Sequence, residues 1–138
     1  MRMKKILPFG LLLLALSISG ICAAEIPDLV GDWAGIGPGY DEEAGYVEDE
    51  DNILTFSIIE QNGRIFNGEL TYKLSNGTDV AEGFAGAIGA DNKTFYITEF
   101  VSGYDVGTVV SENEIELIYL LDGEEGGVYI ETLHRVAE

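Results

Sequence analysis

The residues best suited to hold a metal ion lie in one acidic stretch between Gly39 and Asn52. It carries seven carboxylates: Asp41, Glu42, Glu43, Glu48, Asp49, Glu50 and Asp51. Ca²⁺ takes about six to eight oxygen ligands in proteins, so the composition suits it. The stretch lacks the Asp-x-Asp-x-Asp-Gly order of a calcium-binding loop, however. We therefore expect a solvated acidic run with weak divalent-cation binding at most, and no specific metal site.

The sequence offers few side chains for nucleophilic or zinc chemistry. His134 is the one histidine, and the one cysteine, Cys22, lies in an apolar N-terminal segment. The rest of the chain therefore lacks the cysteine and histidine side chains that a zinc cluster or a Cys-His pair needs, and a Ser-His pair would depend on His134 alone. Paired carboxylates could act as acid and base, but no pair is distinguished among so many. We expect no enzyme activity, no catalytic residue and no cofactor.

The N-terminus has the three regions of an export signal: a basic start, a long apolar run, and small residues at Ala23-Ala24. This pattern predicts a helical signal peptide over 1–24 and a mature domain over 25–138. Two alternatives remain open. One is a lipid-modified Cys22, which the bulky Ile21 before it disfavours; the other is an uncleaved anchor, for which the run is barely long enough. Each interpretation makes the domain secreted or extracytoplasmic, with cell-envelope association possible.

The charge of the chain argues against nucleic acid as a partner. The formal net charge is −18, and loss of the three leader cations would leave four cations against 25 carboxylates, a charge of −21. Such an excess repels phosphate and anionic membrane surfaces. Aromatic and β-branched residues are nevertheless spread evenly through the chain after the leader. They indicate a folded core inside an acidic shell rather than a disordered tail.

Short β-rich runs alternate with turn residues after the leader, which is typical of a meander of hairpins. The eight runs are Leu29 to Gly37, Ile53 to Glu60, Arg64 to Tyr72, Val80 to Gly89, Thr94 to Phe100, Val106 to Ser111, Ile115 to Leu120 and Val128 to Leu133, with His134 and Arg135 just beyond. Tight turns are expected at Gln61-Asn62-Gly63, Asn76-Gly77, Asp91-Asn92 and Asp122-Gly123. The prediction is an all-β fold, a single eight-stranded antiparallel up-and-down barrel. A two-sheet sandwich is the alternative.

A barrel this small either fills with its own side chains or holds one small apolar or aromatic ligand. Alternation along the runs predicts these inward aromatic residues: Phe56, Phe66, Tyr72, Phe84, Phe95 and Tyr119. Tyr40, on the long connection from Gly39 to Asn52 over the mouth, completes the set of candidate ligand-binding residues. Along the fourth to sixth runs, Ala85, Tyr96 and Phe100 on the opposite face also favour burial. A register slip of one residue would exchange the two faces.

The two ends of this pattern resemble the calycin group, the small meander barrels that include avidins and lipocalins. The resemblance rests on Gly31-Asp32-Trp33 in the first run and Leu133-His134-Arg135 at the last. In those families a first-strand Gly-x-Trp places an indole across the closed end of the barrel, and a late Arg lies against it. The resemblance therefore implies that Trp33 and Arg135 form a structural pair at the barrel end. The acidic connection and the high charge depart from both families, and neither family's ligand contacts map onto this chain.

Two functions are consistent with these observations. The first is an extracytoplasmic, non-enzymatic calycin-like barrel that binds a small ligand, in a pocket that opens beside the long connection. The alternative is a cell-envelope structural or interaction domain that works through an acidic, possibly cation-binding surface. The first places the working surface inside the barrel and the second places it outside.

Overall fold

The computed structural model describes residues 24–48, 52–74 and 76–137, so the predicted signal helix and Cys22 lie outside the described residues. The described chain forms these strands: β1 (Gly31–Ile36), β2 (Gly39–Asp41), β3 (Gly45–Val47), β4 (Leu54–Asn62), β5 (Ile65–Lys73), β6 (Asp79–Ile88), β7 (Thr94–Glu99), β8 (Tyr104–Ser111), β9 (Glu114–Leu121) and β10 (Gly127–Arg135). Over these ranges no helical segment has the length and hydrophobicity of a membrane span.

The sheet closes on itself. Strands β4 to β9 each pair antiparallel with the next strand in the chain, β1 pairs with β4, and β10 pairs back onto β1. Closure satisfies the backbone groups that an open sheet would leave at its two edges. The predicted eight-stranded antiparallel up-and-down barrel is confirmed for the described residues.

The first barrel strand is longer than predicted, because β1 and β2 pair with β10 in one continuous register. The two strands are separated at Pro38, which lacks an N–H group, but its carbonyl still accepts a hydrogen bond of 3.0 Å from the Ile130 N–H. Gly39 then lies opposite Tyr129. The prediction of an irregular connection over 39–52 is therefore wrong in its first part. β2 extends the barrel wall there, and β3 folds back on β2 as a hairpin.

The last strand is also longer than predicted. His134 and Arg135 lie within β10, opposite Ala34 and Trp33, rather than beyond its end. Trp33 and Ala34 of β1 still offer backbone hydrogen-bonding partners to these two residues, so the pairing of β1 with β10 continues. His134 is exposed, and its Nδ1 lies 3.7 Å from a carboxylate oxygen of Glu114.

The four predicted turns are confirmed by backbone geometry. Each contains one residue at positive φ: Gly63 at 60°, Gly77 at 81°, Asn92 at 52° and Gly123 at 97°. Gly and Asn adopt this conformation with the least steric cost, which is why such residues close two-strand hairpins.

Four phenylalanines fill the half of the lumen nearer the closed end. The Phe56 and Phe84 ring centroids are 5.0 Å apart, and Phe66 lies 6.4 Å from Phe84 and 6.0 Å from Phe95. On the opposite strand face, Tyr96 is 54% exposed. The uncertain register of the middle strands is thereby resolved in favour of Phe84 and Phe95 as the inward residues.

The closed end is sealed by Trp33 and Arg135. Trp33 is fully buried, and the Arg135 guanidinium carbon lies 4.1 Å from the indole centroid. The same guanidinium donates hydrogen bonds to the carbonyls of Val30, at 2.7 Å, and Asp28, at 2.9 Å. Glycine suits position 31 for two reasons. Its φ of 127° is one that residues with a side chain rarely adopt, and a Cβ there would lie only 3.1 Å from a guanidinium nitrogen of Arg135.

We expect Arg135→Lys to destabilise the barrel by about 1–3 kcal/mol, because lysine can neither stack a planar cation on the indole nor reach two carbonyls with a fixed fork. Chemical denaturation measures the loss. Arg64→Lys, the same change in an exposed turn, is the control and should leave the free energy of unfolding almost unchanged. Equal effects of the two substitutions would contradict a structural role for the Trp33 and Arg135 pair.

Candidate functional site

The mouth half of the lumen is acidic. Four carboxylic side chains occupy inward positions on four strands: Glu82 on β6, Glu99 on β7, Asp105 on β8 and Glu131 on β10. Asp105 is only 1% exposed and Glu82 only 7%. Burial of a carboxylate without a partner is costly, so a cluster of this kind either retains protons or requires a cation.

Asp105 is the deepest member of the cluster. It lies opposite Ile97 on β7 and Tyr119 on β9. Among the described residues, no N–H or hydroxyl group donates a hydrogen bond to either of its carboxylate oxygens, and the same is true of one oxygen of Glu131. The donor that can reach Asp105 is the carboxyl group of Glu99 in its protonated form.

Glu99 connects Asp105 to Glu82. Its carboxyl group interacts with both neighbouring carboxyl groups, and a proton on Glu99 can be shared with either. Glu82 is anchored from the other side, since its Oε2 accepts a hydrogen bond of 3.1 Å from the Val101 N–H. The backbone after β7 therefore fixes one end of a chain of three adjoining carboxyl groups.

Burial raises the pKa of three of these groups, so that Glu99 and Glu131 hold protons at neutral pH and Asp105 does so in part. It raises the pKa of Glu99 to about 9, with further contributions from the negative charges of Asp105 and Glu82. Burial likewise raises the pKa of Glu131 to about 8, helped by Asp105. Burial also raises the pKa of Asp105 to about 7, against the opposing effect of the hydrogen bond from Glu99.

Tyrosines form the rim above this cluster. The Tyr119 and Tyr129 rings are 6.3 Å apart and tilted by 45°, and Tyr72 is half-buried at the same end. The Tyr119 hydroxyl donates a hydrogen bond of 3.3 Å to the Ser102 carbonyl. Burial raises the pKa of Tyr72 and Tyr119, and the nearby carboxylates raise each further, so both phenols stay neutral hydrogen-bond donors.

Among the described residues of the acidic stretch, Asp41 reaches the rim. Its Oδ2 accepts a hydrogen bond of 3.0 Å from the Tyr129 hydroxyl, and its Oδ1 accepts one of 2.6 Å from the Ala44 N–H. The Ala44 bond, followed by the Tyr129 bond, lowers the pKa of Asp41. Within 24–48, 52–74 and 76–137, no three His, Cys, Asp or Glu side chains are arranged to hold a metal ion.

The candidate ligand-binding residues predicted from the sequence separate into three groups. Tyr72 and Tyr119 lie in the mouth half beside the acidic cluster. The four phenylalanines pack against one another below it, with exposures of 2% or less: Phe56, Phe66, Phe84 and Phe95. Tyr40 lies on the outer face, where its side chain is 62% exposed and pairs across the hairpin with Tyr46.

The luminal carboxylates were missed by the sequence analysis, which assigned acidic residues to a solvated shell. The sequence nevertheless contains a pattern that could have identified these luminal carboxylates. Glu82 shares its strand parity with Phe84, Glu99 shares its parity with Ile97, and Glu131 shares its parity with Leu133. Carboxylates at inward positions on several strands of one small barrel indicate an acidic lumen.

No protein-family model matches the sequence, and no curated protein matches it at a significant level. Three solved structures are similar. A redesigned β-barrel is 13% identical with a TM-score of 0.59, covering 79% of this chain and 92% of that one. A de novo designed fluorescence-activating β-barrel is 14% identical with a TM-score of 0.51, covering 78% and 93%. Lobster apocrustacyanin A1 is 12% identical with a TM-score of 0.48, covering 79% and 61%. The likeness to the two designed barrels shows the fold.

Proposed function

We propose that this protein is an extracytoplasmic, non-enzymatic barrel that binds a small ligand in the mouth half of its lumen. The observation that carries the proposal is Asp105, a carboxylate 1% exposed whose two oxygens are reached by no donor among the described residues other than the protonated Glu99 carboxyl group. Native proteins partner most buried polar atoms, and exceptions mark sites where a ligand, ion or water completes the set.

The composition of the lumen wall supports the same proposal. The phenylalanine column provides a rigid apolar floor below Asp105, and the half-buried rings of Tyr119 and Tyr129 border the way in from solvent. A few convergent polar groups over an apolar floor are what small-molecule sites usually offer. A barrel of the same fold has been designed as a fluorescence-activating protein, so this architecture is compatible with small-molecule function.

The test is nuclear magnetic resonance of the tyrosine rings during titration with a panel of small aromatic compounds. We expect shifts at Tyr119 and Tyr129, which border the mouth, and none at Tyr40 and Tyr96, which are exposed on the outer face. Native mass spectrometry of protein purified before and after extraction with organic solvent reports any ligand retained from the host. Shifts confined to the outer tyrosines, or absent throughout, would contradict binding in the lumen.

A further inference from the structure

We infer that the ligand of this site is an organic cation, a small molecule that carries an ammonium group on an apolar or aromatic body. The inference rests on the proposed function and names its ligand class. The ammonium would lie among Glu99, Asp105 and Glu131, with the body of the ligand held between the tyrosine rim and the apolar floor.

Charge complementarity favours a cationic ligand. The described site contains four inward carboxyl groups, Glu82, Glu99, Asp105 and Glu131, and neither Arg135 nor Lys73 points into it. Arg135 is held at the closed end by Trp33 and backbone carbonyls. Lys73 pairs with Asp79 on the surface. An ammonium would provide N–H donors to the Asp105 oxygens, which otherwise only the protonated Glu99 carboxyl group can reach, and to the Glu131 oxygen that has no partner among the described residues. Hydrogen bonds to charged partners are the strongest in proteins.

The non-polar part of the wall favours a ligand with an apolar or aromatic body. Tyr119 and Tyr129 present tilted rings at the mouth, and Ile97 and Leu117 lie at the level of Asp105 and Glu131 on the neighbouring strands. Aromatic faces attract cations and also pack against alkyl or aryl groups. A ligand with a cationic head and an apolar body therefore satisfies both surfaces, whereas an anion would be repelled by each carboxyl group of the site that is ionised.

Binding of a cation would be coupled to the release of protons. The strands around the cluster contribute these titratable groups: Asp41, Tyr72, Glu82, Glu99, Asp105, Tyr119, Tyr129 and Glu131. In the protein alone Glu99 and Glu131 retain protons at neutral pH, because burial raises the pKa of both groups. An ammonium that enters would replace these protons. Affinity should therefore rise with pH until the ammonium itself loses its proton, near pH 10 for an alkylamine.

The experiment is isothermal titration calorimetry with three probes of matched shape: phenethylamine, 2-phenylethanol and phenylacetate. At about pH 8 we expect the amine to bind about tenfold or more tightly than the alcohol, the ratio that one charge-assisted hydrogen bond provides. Phenylacetate should bind least. Amine affinity should increase between about pH 6 and pH 9, and titrations in two buffers of different ionisation enthalpy should detect proton release.

Variants identify the residues. Asp105→Asn should weaken amine binding about tenfold or more without weakening alcohol binding, and Glu131→Gln tests the same point independently of how the first variant folds. The double variant Glu60→Gln/Glu69→Gln removes two exposed carboxylates from the outer surface. It controls for long-range attraction of cations and should change amine affinity less than about twofold at physiological salt.

The outcomes separate this inference from the proposed function. Equal binding of the amine and the alcohol would overturn the organic-cation inference and leave a ligand-binding lumen. Binding of none of the three probes would overturn both. A Ca²⁺ titration completes the design. Tight Ca²⁺ binding that depends on Asp105 and competes with the amine would show that the ligand of the site is a metal ion and would overturn the organic-cation inference.

Discussion

Raising the pH from about 5 to about 9 should progressively destabilise this barrel, and Glu99→Gln should remove much of that loss. The pKa of Glu99 is about 9 in the folded protein, against an ordinary value of 4.5. Between these values the folded state keeps a proton that the unfolded state releases. The stability contributed by this group is complete below about pH 4.5 and is lost as the pH rises through the folded value. Glu131 and Asp105 act in the same direction, up to about 8 and about 7 respectively.

Thermal unfolding across this pH range measures the effect. Glutamine keeps the shape of the protonated carboxyl group and carries no charge at any pH. Glu99→Gln should therefore match the unmodified protein near pH 4 and exceed it in melting temperature by a margin that grows as the pH rises to about 9. Glu69→Gln, on the outer face of β5, removes the same charge without burial and serves as the control. If the Glu99→Gln curve stays parallel to that of the unmodified protein over the whole range, the buried proton on Glu99 does not exist.

Trp33→Ala should cost about 3–5 kcal/mol of unfolding free energy, the range for deletion of a fully buried large aromatic side chain. The substitution removes three interactions of the indole at once. The indole is 0% exposed in the core, its N–H donates a hydrogen bond of 2.9 Å to the Leu29 carbonyl, and its face supports Arg135. Small domains are stable by only about 5–15 kcal/mol, so this change removes a large share of the total.

Urea denaturation followed by circular dichroism measures the loss. Tyr96→Ala removes a large aromatic side chain that is 54% exposed on the outer face, so its cost should stay below about 1 kcal/mol. Trp33→Phe should fall between the two, because it keeps an apolar ring and loses the N–H donor. A cost for Trp33→Ala no greater than that for Tyr96→Ala would show that the closed end does not hold the barrel together.

The barrel could be predicted from the sequence because local rules determine it. Turns such as Asn62-Gly63 and Asp122-Gly123 mark where the chain reverses, and alternation such as Phe56 and Ile58 marks which face is buried. Both signals act over a few residues, so they can be recognised without knowledge of the fold. The strand count, the antiparallel order and the inward position of Phe56 and Phe66 follow from them, whereas the inward position of Phe84 and Phe95 was settled only by the structure.

The acidic site depended on tertiary structure. Glu82, Glu99, Asp105 and Glu131 are spread over about 50 residues of sequence, among many surface carboxylates of the same type. They meet because the closed sheet brings the mouth ends of their strands around one lumen. Their protonation follows from that meeting, since burial and mutual repulsion act through space. The sequence by itself determined the wall of the barrel. The three-dimensional closure decided which of its acids lie in water and which face one another in a confined space.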